Sequence, residues 1–243
     1  ASDVYKRQVW FEAYIQIFDP EGGWPIIGGW GLYHFVDELL GLGTVIGIIT
    51  LIIIRQKIGD KDKKARFYGS NSGAAYFVEA VVLIEGLGMI FVKASKIATF
   101  ASYEGGHAAT DFFTMQLAKI LPESPLLVSI FALIKLLSGM IWLFIVGQNV
   151  KWGVAWHRFM AFFNIFLKRN ADGRNALGAA KPLTSGGRML TMENADPEED
   201  AIGVGKIDDF TWKGWMDFTS CTECGRCQEQ CPAWNTAKPL SPK

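Results

Sequence analysis

The amino-acid sequence predicts an all-α protein in two parts, a transmembrane helix bundle and, after a linker, a short helical segment built around cysteines. Three observations carry that prediction. Half of the 243 residues are apolar and the mean hydropathy is positive, which is high for a water-soluble domain. Three separate runs stay apolar over the roughly 20 residues that a helix needs to cross a bilayer. All four cysteines fall between Cys221 and Cys231, so they are not the scattered framework that staples secreted domains.

The elements follow in order. Residues 1–8 are expected to lie outside the fold, because Asp3 to Gln8 resembles the translation of a transposon end used to fragment DNA for sequencing, and such segments are set aside first. The membrane domain is expected over 9–170. Val9 to Phe18 is apolar apart from Glu12 and Gln16 and reads as the last turns of a truncated helix, closed by Asp19, Pro20, Gly22, Gly23 and Pro25. The first whole span is expected over 32–54, with His34, Asp37 and Glu38 near its start. The second is expected over 73–100, interrupted by Glu79, Glu85 and Lys93, and the third over 126–150, with one charge at Lys135 and Pro122 and Pro125 ahead of it.

Orientation follows from the connections. Arg55, Lys57, Lys61, Lys63, Lys64 and Arg66 crowd the first one, whereas 9–31 holds no Lys or Arg and 101–125 holds only Lys119. The positive-inside rule places the crowded connection in the cytoplasm. Two further crossings return the chain to that side, where Lys151, Arg158, Lys168, Arg169 and Arg174 follow. The expectation is a multi-pass protein of the inner (cell) membrane with a cytoplasmic C-terminal segment. Trp152, Trp156, Phe159, Phe162, Phe163 and Phe166 alternate with basic residues over 151–169, predicting an interfacial helix, with a plain aromatic belt as the simpler reading. Residues 171–206 are rich in Gly, Ala and acid and read as a solvated linker. Lys+Arg and Asp+Glu balance at 24 each and no basic patch interleaves with aromatics, so no nucleic-acid partner is expected.

The chemistry sits in Cys221-x-x-Cys224-x-x-Cys227-x-x-x-Cys231-Pro232, which matches the bacterial 4Fe-4S run residue for residue. Two-residue spacings let three thiolates hold one cubane from a single loop, with Gly225 relieving backbone crowding. The fourth thiolate points to another cluster, and Pro232 turns the chain after it. Zinc is the competing metal, but four cysteines so close together pack too tightly for the paired knuckles zinc receives. Cys221, Cys224, Cys227 and Cys231 are therefore the expected metal ligands, within a partial ferredoxin-type domain over 207–243. A second such run is expected downstream of Lys243, to supply the first cubane's fourth ligand.

Phe210-Thr211-Trp212-Lys213, the cysteine run, Pro232-Ala233-Trp234-Asn235 and the ending Lys238 to Lys243 closely resemble the heterodisulfide-reductase-related, membrane-bound iron-sulfur reductases of actinobacteria. Phe11 to Tyr14, Pro25 to Gly28 and Arg66 to Ser70 resemble the same family's membrane half. The resemblance implies a domain similar to the gamma subunit of respiratory nitrate reductase, fused to a helical ferredoxin-type domain and then to cysteine-rich repeats. It also implies haem b, because Trp156-His157-Arg158-Phe159 resembles the inner histidine motif of the last helix. His157 would then ligate one haem, its partner standing on the truncated helix that ends near Phe18. Gly139 stands where the family's second histidine would fall, which removes a ligand of the other haem.

Glu85 and Lys135 lie near the middle of antiparallel spans, where charges are costly and paired or functional. A buried ion pair is the leading reading and proton or quinone handling the alternative. His34 and His107 are read as interfacial or solvated side chains. Taken together, the chain is expected to be part of an iron-sulfur oxidoreductase moving electrons between membrane quinone and a cytoplasmic donor or acceptor, in either direction. The alternatives are an electron-relay ferredoxin subunit of a larger membrane complex and a non-enzymatic membrane protein with a structural cluster.

Overall fold

The computed structural model describes residues 11, 13–22, 28–58, 67–101, 103, 107, 109–170, 172, 177–179, 181–200, 203–238 and 240. Residues 1–8, and much of the basic connection after Ile58, lie outside that set.

The described chain is an all-α membrane helix bundle. Helices α1 (Gly31–Ile58), α2 (Ser72–Thr99) and, after the short α3 (Thr114–Ala118), α4 (Pro125–Gln148) form its body. Stretches of 27, 28 and 24 residues in the three long helices are apolar enough to cross a membrane. At 1.5 Å per residue they reach about 36–42 Å, more than the roughly 30 Å hydrocarbon core. α1 outruns the expected 32–54 because Arg55, Gln56 and Lys57 keep the helix going while their polar heads reach past the apolar zone. Asn71 starts α2 by accepting the Ala74 N–H at 3.0 Å, and Ser124 and Pro125 start α4.

α2 is the central helix, packed on α1 along one side and α4 along the other. Small residues let the backbones approach: a side chain at Gly86 would meet Thr44 and Val45 of α1 at 3.1 Å. The outward faces of α1 and α4 carry Leu39, Leu40, Ile46, Ile53, Ile134 and Phe144, all exposed, as lipid-facing side chains should be. At the end remote from the basic connection, a helical stretch over 13–18 packs Ala13 and Ile17 onto Val92, Val128, Ala132 and Phe131.

Beyond α4 the chain turns at Asn149 and enters α5 (Gly153–Phe166). Trp142, Val146 and Ala155 bury together there, with Phe77, Val78, Trp152 and Trp156 against them, while Phe162, Phe163, Ile165 and Phe166 stay exposed. The linker departs from a plain coil: β1 (Thr184–Ser185) and β2 (Arg188–Met189) pair antiparallel across the Gly186-Gly187 turn. The C-terminal part is helical again, with a 3-10 turn (Ile207–Asp209), α6 (Trp212–Thr219), α7 (Arg226–Glu229) and α8 (Pro232–Asn235).

Candidate functional site

Two groups of chemistry-bearing residues stand at opposite ends of the bundle. The cysteine loop lies at the end that carries the basic connection. Thr211 caps α6 by accepting the Gly214 N–H, and α6 packs on α5, which sets the loop that follows beside the membrane domain. The loop is then pinned by hydrogen bonds. Ser70 Oγ donates to Glu223 O at 3.1 Å, and the Asn71 N–H donates to Glu223 Oε2 at 2.8 Å. His157 Nδ1 lies 2.5 Å from Ser220 O, and Asn164 Nδ2 donates to Ser220 Oγ at 2.9 Å. Lys213 bridges Asn164 and Asp217. Gly153 sits so close that a side chain there would collide with Cys221 O. Farther along, the Trp234 ring lies 6.0 Å from that of Tyr68.

Within the loop, Glu223 and Gly225 take positive φ of 55° and 71°. That conformation curls the chain and is easy only for glycine. Gly225 then opens α7, and Pro232 opens α8 directly after Cys231. The Glu223 N–H donates to Cys221 Sγ at 3.3 Å, the kind of amide contact that stabilises a thiolate. Cys221, Cys224 and Cys227 are exposed and Cys231 is half-buried. Among the described residues no three such side chains converge as a preformed metal site. The donor set of soft thiols on a tight loop with an amide aimed at sulfur is nevertheless the one an iron-sulfur cluster takes.

For His157, a carbonyl can only accept, so Nδ1 carries the hydrogen. Neutral imidazole then leaves Nε2 as the open nitrogen, the arrangement of a metal-bound histidine. The chain's other histidines, His34 and His107, lie at the opposite end, so the described residues do not assemble a two-histidine haem site.

At that opposite end the structure corrects the reading of His34 as an interfacial or solvated side chain. It is 2 % exposed, donating from Nε2 to Gly28 O at 2.7 Å and placing Nδ1 3.5 Å from Asp111 Oδ1. The connection between α2 and α4 folds back over the bundle and inserts Asp111, which removes His34 from water. Lys93 Nζ stands 2.6 Å from Asp111 Oδ1, 3.2 Å from Glu38 Oε2 and 3.8 Å from Asp37 Oδ2. Glu38 also takes the N–H groups of Phe113 and Thr114 at 2.7 and 2.8 Å and the Thr114 hydroxyl at 2.8 Å, so it fastens the start of α3. Burial opposes ionisation of Asp111, but hydrogen bonds from His34, Lys93 and Thr110 and the Lys93 charge outweigh it, holding the carboxyl well below the usual range. His107 is exposed, as expected. Nearer mid-membrane, Ser138 Oγ donates to Glu85 Oε1 at 2.9 Å, and Lys135 is buried one turn away on α4.

Comparison with known proteins yields partial matches. Over 46 residues the chain is 56% identical to the EtfAB:quinone oxidoreductase of Syntrophomonas wolfei, covering 19% of this chain and 6% of that protein. Over 103 residues it is 33% identical to the "Probable iron-sulfur-binding oxidoreductase FadF" of Bacillus subtilis, covering 40% of this chain and 15% of that one. Over 90 residues it is 37% identical to the "Probable membrane-anchored ferredoxin" of Chromohalobacter salexigens, covering 37% and 11%. The chain thus spans less than a sixth of the length of the curated relatives it matches. No family model and no solved structure matches.

The buried cluster of His34, Glu38, Lys93 and Asp111 was only half visible in the sequence. Asp37 and Glu38 sit near the start of one span and Lys93 near the end of the next, antiparallel one, so equal depth was readable. Asp111 carried no such signal, because a charged residue in a polar connection looks solvated.

Proposed function

We propose that this chain is the membrane anchor and first cluster-binding segment of an iron-sulfur oxidoreductase that moves electrons between membrane quinone and a cytoplasmic redox partner. The observation that carries the reading is the seating of the cysteine loop: Ser70, Asn71, His157 and Asn164 hold it against the basic end of a three-span bundle. The basic end is assigned to the cytoplasm by its charge. Cys221, Cys224 and Cys227 would hold one 4Fe-4S cluster from a single loop, with Cys231 reaching toward another. When bound, such a cluster supplies a one-electron carrier, and the protein supplies position, burial and hydrogen bonds to sulfur. The Glu223 N–H on Cys221 Sγ stabilises the thiolate, and the contacts at Ser220 and Glu223 fix the loop's distance from the membrane.

The partial matches to a quinone oxidoreductase and an iron-sulfur-binding oxidoreductase support this reading. The match to a membrane-anchored ferredoxin favours a second one, in which the chain relays electrons inside a larger complex. The test is anaerobic mixing of the protein in nanodiscs with a short-chain quinol or quinone, followed by electron paramagnetic resonance. Quinone-dependent change in the cluster signal supports direct exchange. A cluster that exchanges electrons only with a protein partner supports the relay.

A further inference from the structure

Glu85 stands near the middle of α2, and polar groups recur from its level toward the end remote from the cysteine loop. On α4, Ser138 Oγ donates to Glu85 Oε1 at 2.9 Å. One turn on, the stem of Lys135 lies against α2 where Gly88 has no side chain; a Cβ there would stand 3.0 Å from Lys135 Cβ. Lys135 lines a cavity of about 30 Å³ shared with Lys93, Lys96, Asp37 and His34, a volume with room for roughly one or two waters. Lys93 contacts Asp111, whose Oδ2 takes the Thr110 hydroxyl at 2.7 Å and the His107 N–H at 3.2 Å. His107 is exposed at the surface. From Glu85 to Lys96 the string climbs eleven residues of α2, about 16 Å, half the hydrocarbon thickness.

Holding two helices together takes one compensated pair. Here His34 and Asp37 of α1, Lys93 and Lys96 of α2 and Lys135 of α4 line a space that admits water, with Asp111 of the connection against Lys93 and Glu85 against Ser138 one turn from Lys135. Charges inside a membrane are costly and tend to mark ion and proton routes. At the level of Glu85 itself α4 presents Lys135 and Ser138, whereas α1 presents the neutral Thr44 and Val45 beside Gly86. The 13–18 stretch contributes the neutral Gln16 to the cavity.

We propose that these groups form a proton path joining Glu85 to the membrane face opposite the cysteine loop. A proton leaving the Glu85 carboxyl passes by way of Ser138 and Lys135 to cavity water, on to the Asp37 carboxylate that lines the cavity, and out at the aqueous face. Each group regains a proton in turn, no electron moves and no co-reactant is consumed. The path does not depend on the quinone reading.

The test uses the protein in proteoliposomes with pH set separately on the two sides and the orientation sorted by which side exposes the cysteine loop. Dicyclohexylcarbodiimide modifies protonated carboxyl groups in apolar surroundings, and peptide mass spectrometry reads the adduct at Glu85, with Glu85→Gln as the control that loses it. Lowering pH by one unit on the face opposite the cysteines should raise Glu85 labelling several-fold, while the same change on the cysteine face leaves it constant. In Lys135→Met and Asp37→Asn the response to that step should be slower by tenfold or more. Labelling that follows the cysteine-side pH, that ignores both sides, or that never occurs although the Glu85 peptide is recovered would overturn the path. The wild-type protein decides this alone if a variant fails to fold.

Discussion

Lys93 is buried among three carboxylates, at 2.6, 3.2 and 3.8 Å from Asp111, Glu38 and Asp37. Lys93→Met therefore leaves uncompensated negative charge in a low-dielectric site, a change worth about 3–5 kcal/mol when a buried pair is broken. Thermal unfolding in detergent should show that loss, and adding Asp111→Asn should restore part of it, because the double variant removes one of the stranded charges. The pH dependence has a definite sign. The Asp111 carboxyl is held below its ordinary value of 3.8, so its contribution is fully present above that value and is lost as pH falls from there toward the lowered one. The melting temperatures of wild type and Asp111→Asn should differ by a constant amount from neutral pH down to about 4 and converge below it. A difference that already shrinks between pH 7 and 5 would show that Asp111 is not held ionised. His157 makes a prediction of its own through the Nδ1 contact to Ser220 O. If Nε2 ligates a b haem, His157→Ala removes the dithionite-reduced b band. If the residue only docks the loop, the spectrum is unchanged while the loop becomes more open to protease.

At the scale of elements, the spans were legible because each is a long apolar run bounded by charge or proline, and the bundle needs no more than that. Ends moved by a few residues where flanking Arg55 and Lys57 could extend a helix into water. The aromatic stripe of α5 was legible in the sequence, and several of those aromatics are exposed. What composition could not give was the fold-back of the α2–α4 connection, with α3 pinned by Glu38, because that depends on a carboxylate from a distant helix capping it. The docking of the cysteine loop was equally hidden, resting on close approach at Gly153, where a Cβ would collide with Cys221 O. Gly153→Ala should push the loop away at a cost of about 1–3 kcal/mol, the usual penalty for overpacking. Cleavage by protease between α6 and α8 should quicken several-fold while the helical circular dichroism of the spans stays the same. Unchanged cleavage would mean that the loop is not seated on α5.

For the whole molecule, two chemistries are held at opposite ends of one bundle. α2 connects them: Asn71 touches the cysteine loop at one end, and Lys93 sits in the ionic cluster about 33 Å along the helix. On the proposed reading, this separation sets the cluster loop on the basic face and the ionisable cluster on the other. The cysteine motif was readable as a motif from its spacing, whereas the ionic cluster emerged only once the helices were packed. The measurement that tests the central claim most directly is electron paramagnetic resonance on the protein purified anaerobically in nanodiscs, with iron and acid-labile sulfide determined on the same sample. The account predicts a dithionite-reduced iron-sulfur signal that a short-chain quinone abolishes, with signal and bound iron lost in Cys224→Ser and Cys227→Ser while the spans stay folded. Zinc without sulfide, iron that survives both substitutions, or a reduced signal indifferent to quinone would contradict it.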